Sequence, residues 1–327
     1  MLVAATFLHT MWIKRRMMNV VRDADVEFRA GFLAFIDIQS GRLVGKRPLD
    51  SPSGFLFLDD ELYVNSMFGN RIYVLDRSLD IVRSFSSSTM NDLHSIERTK
   101  RGLLVTSSGI DSIIEYDTVG LPIWCWSFSQ RGYGRAAHGG IRTVNPLSGD
   151  HRHAHYATVE QTTHCNSATF AGHDEDVIAA TLFVPGEVVL IDRRSEFVRR
   201  VVCGLAAPHS LRRVGDQGWL VCDSRAGSLV LLDTEFNINK VIDGPFDWVQ
   251  DAMFVPGVGI VVADANHFRL VTIDPERGEL TAECRYQEGW KIYEIGAVPD
   301  AWAASVTLPS HAGWRDGNYS EFDWRDW

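Results

Sequence analysis

Short apolar runs broken by turn residues recur along this chain. The clearest unit spans residues 208–233. Pro208-His209-Ser210 opens it, an apolar strand follows at Gly218-Trp219-Leu220-Val221-Cys222, the chain turns at Ser224-Arg225-Ala226-Gly227, and Leu229-Val230-Leu231-Leu232 closes on Asp233. Residues 52–76, 93–117, 165–192 and 250–274 repeat that form, each ending in an aspartate: Asp76, Asp117, Asp192 and Asp274. A sixth copy occupies residues 291–306. Aligned on their strand starts, the copies place Ser53, His94, Asn166, His209, Asp251 and Glu294 in register, at intervals of 41, 72, 43, 42 and 43. A period of about 40–45 residues with several strands per unit is the signature of a propeller blade. Helical repeats of similar length are excluded, because the segments show strand-like apolar runs with frequent turns and no 3.6-residue stripe. The pattern predicts an all-β, six-bladed β-propeller over residues 31–312.

The ends of the chain complete the count. The sixth copy has inner strands near 293–298 and 301–306 but no outer pair. Gly31-Phe32-Leu33-Ala34-Phe35-Ile36-Asp37 and Arg42-Leu43-Val44 supply one, so the ring is expected to close by an N-terminal strand pairing into the last blade. Closure removes the exposed sheet edges on which such folds aggregate. Residues 1–30 read as an extension. Lys14-Arg15-Arg16 follows its apolar stretch, the wrong order for a secretory leader, and a start at Met17 or Met18 is expected. Residues 313–327 form a tail with Trp314, Trp324 and Trp327 among acids. The long third interval reflects an inserted loop at 132–163, on the face where the inner strands begin, carrying His138, His151, His153 and His155. A loop of this length in a compact domain is functional or disordered.

Composition narrows the function classes. A net charge of −10 argues against nucleic acid, which needs a basic face. No apolar run approaches the roughly 18 residues of a membrane span. The five cysteines include no Cys-x-x-Cys pair and read as reduced thiols, which points to the cytoplasm.

Chemistry enters through the register. In a propeller the starts of the innermost strands ring one central channel. The count therefore gathers residues from Ser53 to Glu294 that no local motif would group. His94, His209, Asp251 and Glu294 are a donor set for a divalent metal (zinc, iron, manganese or calcium), with Asn166 as a further oxygen donor. Alternatively the same groups act metal-free as acid and base. Two carboxylates as close as Asp251 and Glu294 would need a cation or a shared proton. The turns between second and third strands lie on the same face and offer Asn70, Arg71, Asp111, Arg225, Asn266, His267 and His311. Arg225 and His267 are the candidates for holding a polar or anionic substrate. His155 and Ser53 complete the expected substrate-binding set, and His164, two residues before Asn166, joins the upper ring. The terminal aspartates of the copies are expected to make turns.

Two resemblances follow from these residues. The stretch Gly120 to Trp124, the loop histidines and His164-Cys165-Asn166-Ser167 resemble the arylsulfotransferase-type propellers over about 50 residues. That resemblance implies that His164 and Asn166 contact a sulfuryl group and that His209 accepts it; Leu182-Phe183 stand where that family has an Arg. The channel ring resembles that of the gluconolactonase and lactonase propellers, which implies a divalent cation near Glu294, Asn166 and Asp251.

These readings together predict an enzyme of hydrolase, lyase or isomerase type that acts on a small polar molecule, in specialised metabolism. Its catalytic groups would be His209, His164, His94 and Arg225. Metal-free group transfer through His209 and a non-catalytic protein-binding propeller are the alternatives.

Overall fold

A computed structural model describes residues 1–10, 31–172 and 174–304. Six antiparallel sheets of four strands stand in a ring. The innermost strands, in chain order, are Pro52–Leu58, Leu93–Arg98, Cys165–Phe170, Pro208–Arg213, Val249–Val255 and Trp290–Ala297. The six-bladed propeller expected from the period is the observed fold. Among the described residues no helix is long and apolar enough to cross a membrane.

Apolar packing is divided among the seams. Six clusters of buried side chains each bridge one pair of neighbouring blades. Each blade is therefore apolar on both faces, which is why its strands read as solid apolar runs rather than alternating ones.

One side-chain bond to backbone crosses every seam beside the channel. Thr6 Oγ1 donates to Ser53 O at 2.9 Å, Ser53 Oγ to Leu93 O at 2.6 Å and Ser108 Oγ to Cys165 O at 2.6 Å. Asn166 Nδ2 lies 3.4 Å from Pro208 O, Ser224 Oγ donates to Val249 O at 2.6 Å, and Ile295 N donates to Asp251 Oδ2 at 2.8 Å. Ser53 is thus a stitch between blades rather than a substrate contact. Ser53→Ala would leave the buried Leu93 carbonyl short of a partner, and we expect a loss of about 1–3 kcal/mol in urea unfolding.

The aspartates that end the copies do make turns. Asp76, Asp117, Asp192, Asp233 and Asp274 each accept backbone N–H groups two to four residues on, and Asp37 does the same in the last blade. These side-chain bonds replace a backbone turn.

Closure differs from expectation in one respect. Residues 1–30 are not all extension: Leu2–His9 is the second strand of the last blade, pairing with Trp290–Ala297 on one side and Gly31–Asp37 on the other. Val3, Ala4, Ala5, Phe7 and Leu8 are all fully buried. Its unbroken apolar run, buried on both faces, lacks the alternation that marks a half-exposed strand. The position expected of that strand near 301–306 begins instead with a helical turn, Asp300–Ala303, whose Trp302 packs on Phe57. The basic cluster Lys14-Arg15-Arg16, Met17, Met18, His311 and the tail 313–327 lie outside the described residues.

Candidate functional site

Each innermost strand enters the channel through the same two irregularities. The residue before the strand adopts a left-handed backbone in five blades: Ser51, Asp92, His164, Ala207 and Trp248, with φ of 39°, 55°, 45°, 60° and 75°. None is glycine, so each carries a conformational cost that the surrounding structure must hold. A β-bulge follows within the strand. Pairing on either side of the bulges makes Ser53, His94, Asn166, His209, Gln250 and Tyr293 equivalent.

The expected ring was therefore one residue late in its last two blades. Asp251 and Glu294 fall one step further along. Asp251 accepts Arg212 Nε and Nη2 at 2.9 and 2.6 Å, Ser210 Oγ at 2.5 Å and Ile295 N at 2.8 Å. Its oxygens are consumed in joining blades, and Arg212 also lies 3.5 Å from Glu294. The repulsion expected between these carboxylates is relieved by a guanidinium rather than by a metal. The expected metal set of His94, His209, Asp251 and Glu294 is not formed.

A different set converges. Asp92, His94 and His164 bring one ligand atom each within 4.8 Å of one another, the one such group among the described residues. Asp92 and His94 come from the entry to blade two, and His164 from the entry to blade three. Asp92 Oδ1 lies 3.5 Å from His94 Nε2 and Oδ2 3.9 Å from His164 Nδ1, with the imidazole rings crossed at 81° and 4.9 Å apart. A tetrahedral ion with bonds of about 2.1 Å spaces its ligand atoms by about 3.4 Å, close to the Asp92–His94 separation, while His164, whose Nδ1 is bonded to Gln161, would offer Nε2. His94 Nε2 is buried without a hydrogen-bond partner. Two imidazoles and one carboxylate suit zinc, iron or manganese better than calcium, which prefers an all-oxygen cage.

Neighbouring groups hold the three in place. Gln161 accepts from His164 Nδ1 and extends its amide 3.5 Å from Asp92 Oδ2, while Tyr293 Oη lies 3.4 Å from His94 Nδ1. Such outer partners fix ring orientation at metal centres. Burial and the adjacent His94 push His164 down to about 3 despite Asp92, so its imidazole is neutral. Burial alone would raise Asp92; the adjacent His94 and His164 hold it below the ordinary carboxylate range.

The inserted loop, a site expected from its histidines, docks on the upper face through other groups. Asp111, fully buried with φ of 51°, accepts the backbone N–H of Thr162, Thr163 and His164 at 2.8–3.1 Å and pairs with Arg142. Asn91 Nδ2 donates to His151 O and Ala154 O. His155 and Asp92 line one upper cavity together, whereas His138 bonds to Val159 O and stays at the surface. His153 is likewise exposed.

His209 stands across the channel. Its Nδ1 lies 2.8 Å from Ser224 Oγ and 3.1 Å from Ala207 O. Ser224 spends its proton on Val249 O, so Nδ1 must be the donor and Nε2 keeps its lone pair. Burial, together with His94 and His164, holds His209 well below the ordinary imidazole range. Phe183 fills the space between histidines, its ring 5.1 Å from His164 and 5.3 Å from His209, and Trp248 lies 5.6 Å from His209. Arg225 stands at the rim, 6.0 Å over Phe183, with no carboxylate paired to it among the described residues. His267 does not join this group. Its Nδ1 bonds to Asp264 Oδ2, which Arg269 also holds, and it does not line the channel cavity.

Sequence reasoning placed His94, His164, Asn166 and His209 together, and the structure brings them to one level. It missed Asp92, Gln161, Phe183, Trp248 and Tyr293. The one available signal was the spacing: Asp92-x-His94 repeats His164-x-Asn166 and Ala207-x-His209 at three successive strand entries.

No family model matches this chain, and no curated protein sequence matches it. Among solved structures it is similar to virginiamycin B lyase from Staphylococcus aureus, at 12% identity and a TM-score of 0.51 over 72% of this chain and 70% of that one. It is similar to a protein of unknown function from Bacteroides caccae at 14% identity and 0.55, over 81% and 93%. A chain of the nidogen/laminin complex gives 10% and 0.62, over 90% and 97%. At such identities the likeness shows the propeller fold alone.

Proposed function

We propose that this protein is a metal-dependent enzyme acting on a small polar molecule in the channel. The observation that carries the reading is the convergence of Asp92, His94 and His164 around a buried His94 Nε2 that makes no hydrogen bond. A bound divalent ion would supply Lewis acidity to a substrate oxygen. Asp92 and the two imidazoles would hold it with positions left open. His209, neutral and locked with Nδ1–H on Ser224, takes a proton at Nε2. Phe183 and Trp248 limit water around that nitrogen. A held oxygen beside a neutral base suits proton abstraction from an adjacent carbon, as in a lyase or isomerase, and hydrolysis uses the same parts.

His209 Nε2 also favours a second reading, metal-free group transfer with that nitrogen as nucleophile. Metal analysis separates the two. Protein refilled with zinc, manganese or iron should carry one ion per chain. Asp92→Asn, His94→Ala and His164→Ala should each lower its affinity by more than the roughly 10–100-fold typical of removing an outer partner. His209→Ala should keep the ion and lose turnover of any substrate found by screening. Refilled protein that holds no stoichiometric ion would sink the metal reading.

A further inference from the structure

Below the histidine level the channel continues as a cavity of about 360 Å³, lined by successive residues of the innermost strands. Its wall carries three carboxylates, Glu97, Asp251 and Glu294. Only Asp251 has a close bidentate cation, Arg212. Glu294 is left 3.5 Å from the same guanidinium. Glu97 has no ion pair among the described residues; it accepts Thr169 Oγ1 and Arg98 N, both at 3.1 Å. Arg213 also lines the cavity, but its Nη2 donates to Ala171 O at 2.6 Å and its guanidinium stacks 4.5 Å over Trp219.

Among the lining groups, one buried amide oxygen lacks a partner. Asn166 is 5% exposed and lines the cavity, and its Oδ1 has no hydrogen-bond partner. His209 Nε2 presents a lone pair from the same wall. Burial pushes Glu294 up to about 8 against the pull of Arg212, and Asp251 and Glu97 add to the rise. Burial likewise raises Glu97. Three carboxyl groups beside the one paired guanidinium of Arg212 and an unpartnered amide oxygen favour a donor-rich cation, whose charge would draw Glu97 and Glu294 back to the ionised form.

We propose that the cavity takes a small organic cation, an ammonium-bearing substrate whose charged end sits against Glu97 and Glu294 and whose other end reaches His209 and the Asp92, His94, His164 group. Only the placement of the reacting end rests on the function proposed above; capture of the ammonium needs the carboxylates alone.

Calorimetric titration of the full chain with 1,4-diaminobutane, 1,4-butanediol and succinate tests this. The diamine should bind at one per chain, and Glu97→Gln and Glu294→Gln should each weaken it at least about tenfold, or about 1.4 kcal/mol. The diol and the dianion should not bind. Equal binding of diol and diamine, preference for succinate, no saturable binding of diamine, or folded Gln variants with unchanged affinity would each overturn the proposal. The ligand series on the unmodified protein decides the matter even if a variant fails to fold. Metal content is measured on the same samples. Diamine binding that persists in metal-free Asp92→Asn protein supports the cation site whatever becomes of the metal, while metal without diamine binding rejects it.

Discussion

A chain begun at Met17 should not form a soluble, cooperatively folding propeller. That truncation removes Leu2–His9, the strand between Trp290–Ala297 and Gly31–Asp37. Val3, Phe7 and Leu8, all fully buried, alone represent on the order of 5–9 kcal/mol of lost burial. That is comparable with the whole stability of a typical domain, about 5–15 kcal/mol. Two further losses add to it. The ladder bonds on both sides of the strand disappear, and the ring opens to expose two sheet edges, which template aggregation. Thr6 Oγ1, which joins the last blade to Ser53, goes as well. Solubility, circular dichroism and thermal unfolding of the two chains side by side measure the effect. A truncated chain that is monomeric and melts as the full one does would show that the strand is dispensable.

Asp111→Ala should cost about 3–5 kcal/mol in denaturant unfolding, the range for removing one partner of a buried ion pair. Asp111 has no exposed surface, and its carboxylate gathers three consecutive backbone N–H groups, the Thr163 hydroxyl and Arg142. The substitution strands Arg142 in a partly buried position and leaves the donors of residues 162–164 without an acceptor. His164 is the last of these residues, held left-handed at φ 45°. Asp111→Ala should therefore also weaken metal retention, although Asp111 is not among the three converging side chains. Urea unfolding followed by metal analysis of the refolded protein reads both effects. Unfolding within about 0.5 kcal/mol of the parent, the usual range of a surface change, would show the anchor to be unimportant.

Much of the fold was legible because a propeller repeats one local arrangement six times. The aspartates after the third strands, the spacing of the strand starts and the inserted loop each had a local cause that survives in the sequence. Leu2–His9 was misread because a strand buried on both faces has no alternation to distinguish it from a leader or a helix. The ring residues in blades five and six were misread for another reason. Intervals of 41 to 43 residues cannot fix a position to better than a residue or two, while a slip of one residue moves a side chain to the other face. Gln250 rather than Asp251, and Tyr293 rather than Glu294, occupy the histidine level. Asp92 was hidden because it precedes the repeating strand. Only its left-handed backbone turns it back toward His94.

The sequence by itself determined the number of blades, their order, the face carrying the inserted loop and the grouping of His94, His164, Asn166 and His209. Those follow from period and apolar pattern, which are properties of neighbours along the chain. The tertiary structure alone decided which atoms meet. It gave Asp92 to the two histidines, gave Asp251 to Arg212, fixed the His209 proton through Ser224, and set Glu97 and Glu294 around one channel cavity. These contacts join residues from different blades, and a bulge or a left-handed residue at each strand entry sets their direction. No spacing in the chain encodes that direction, because it depends on where the next blade lies.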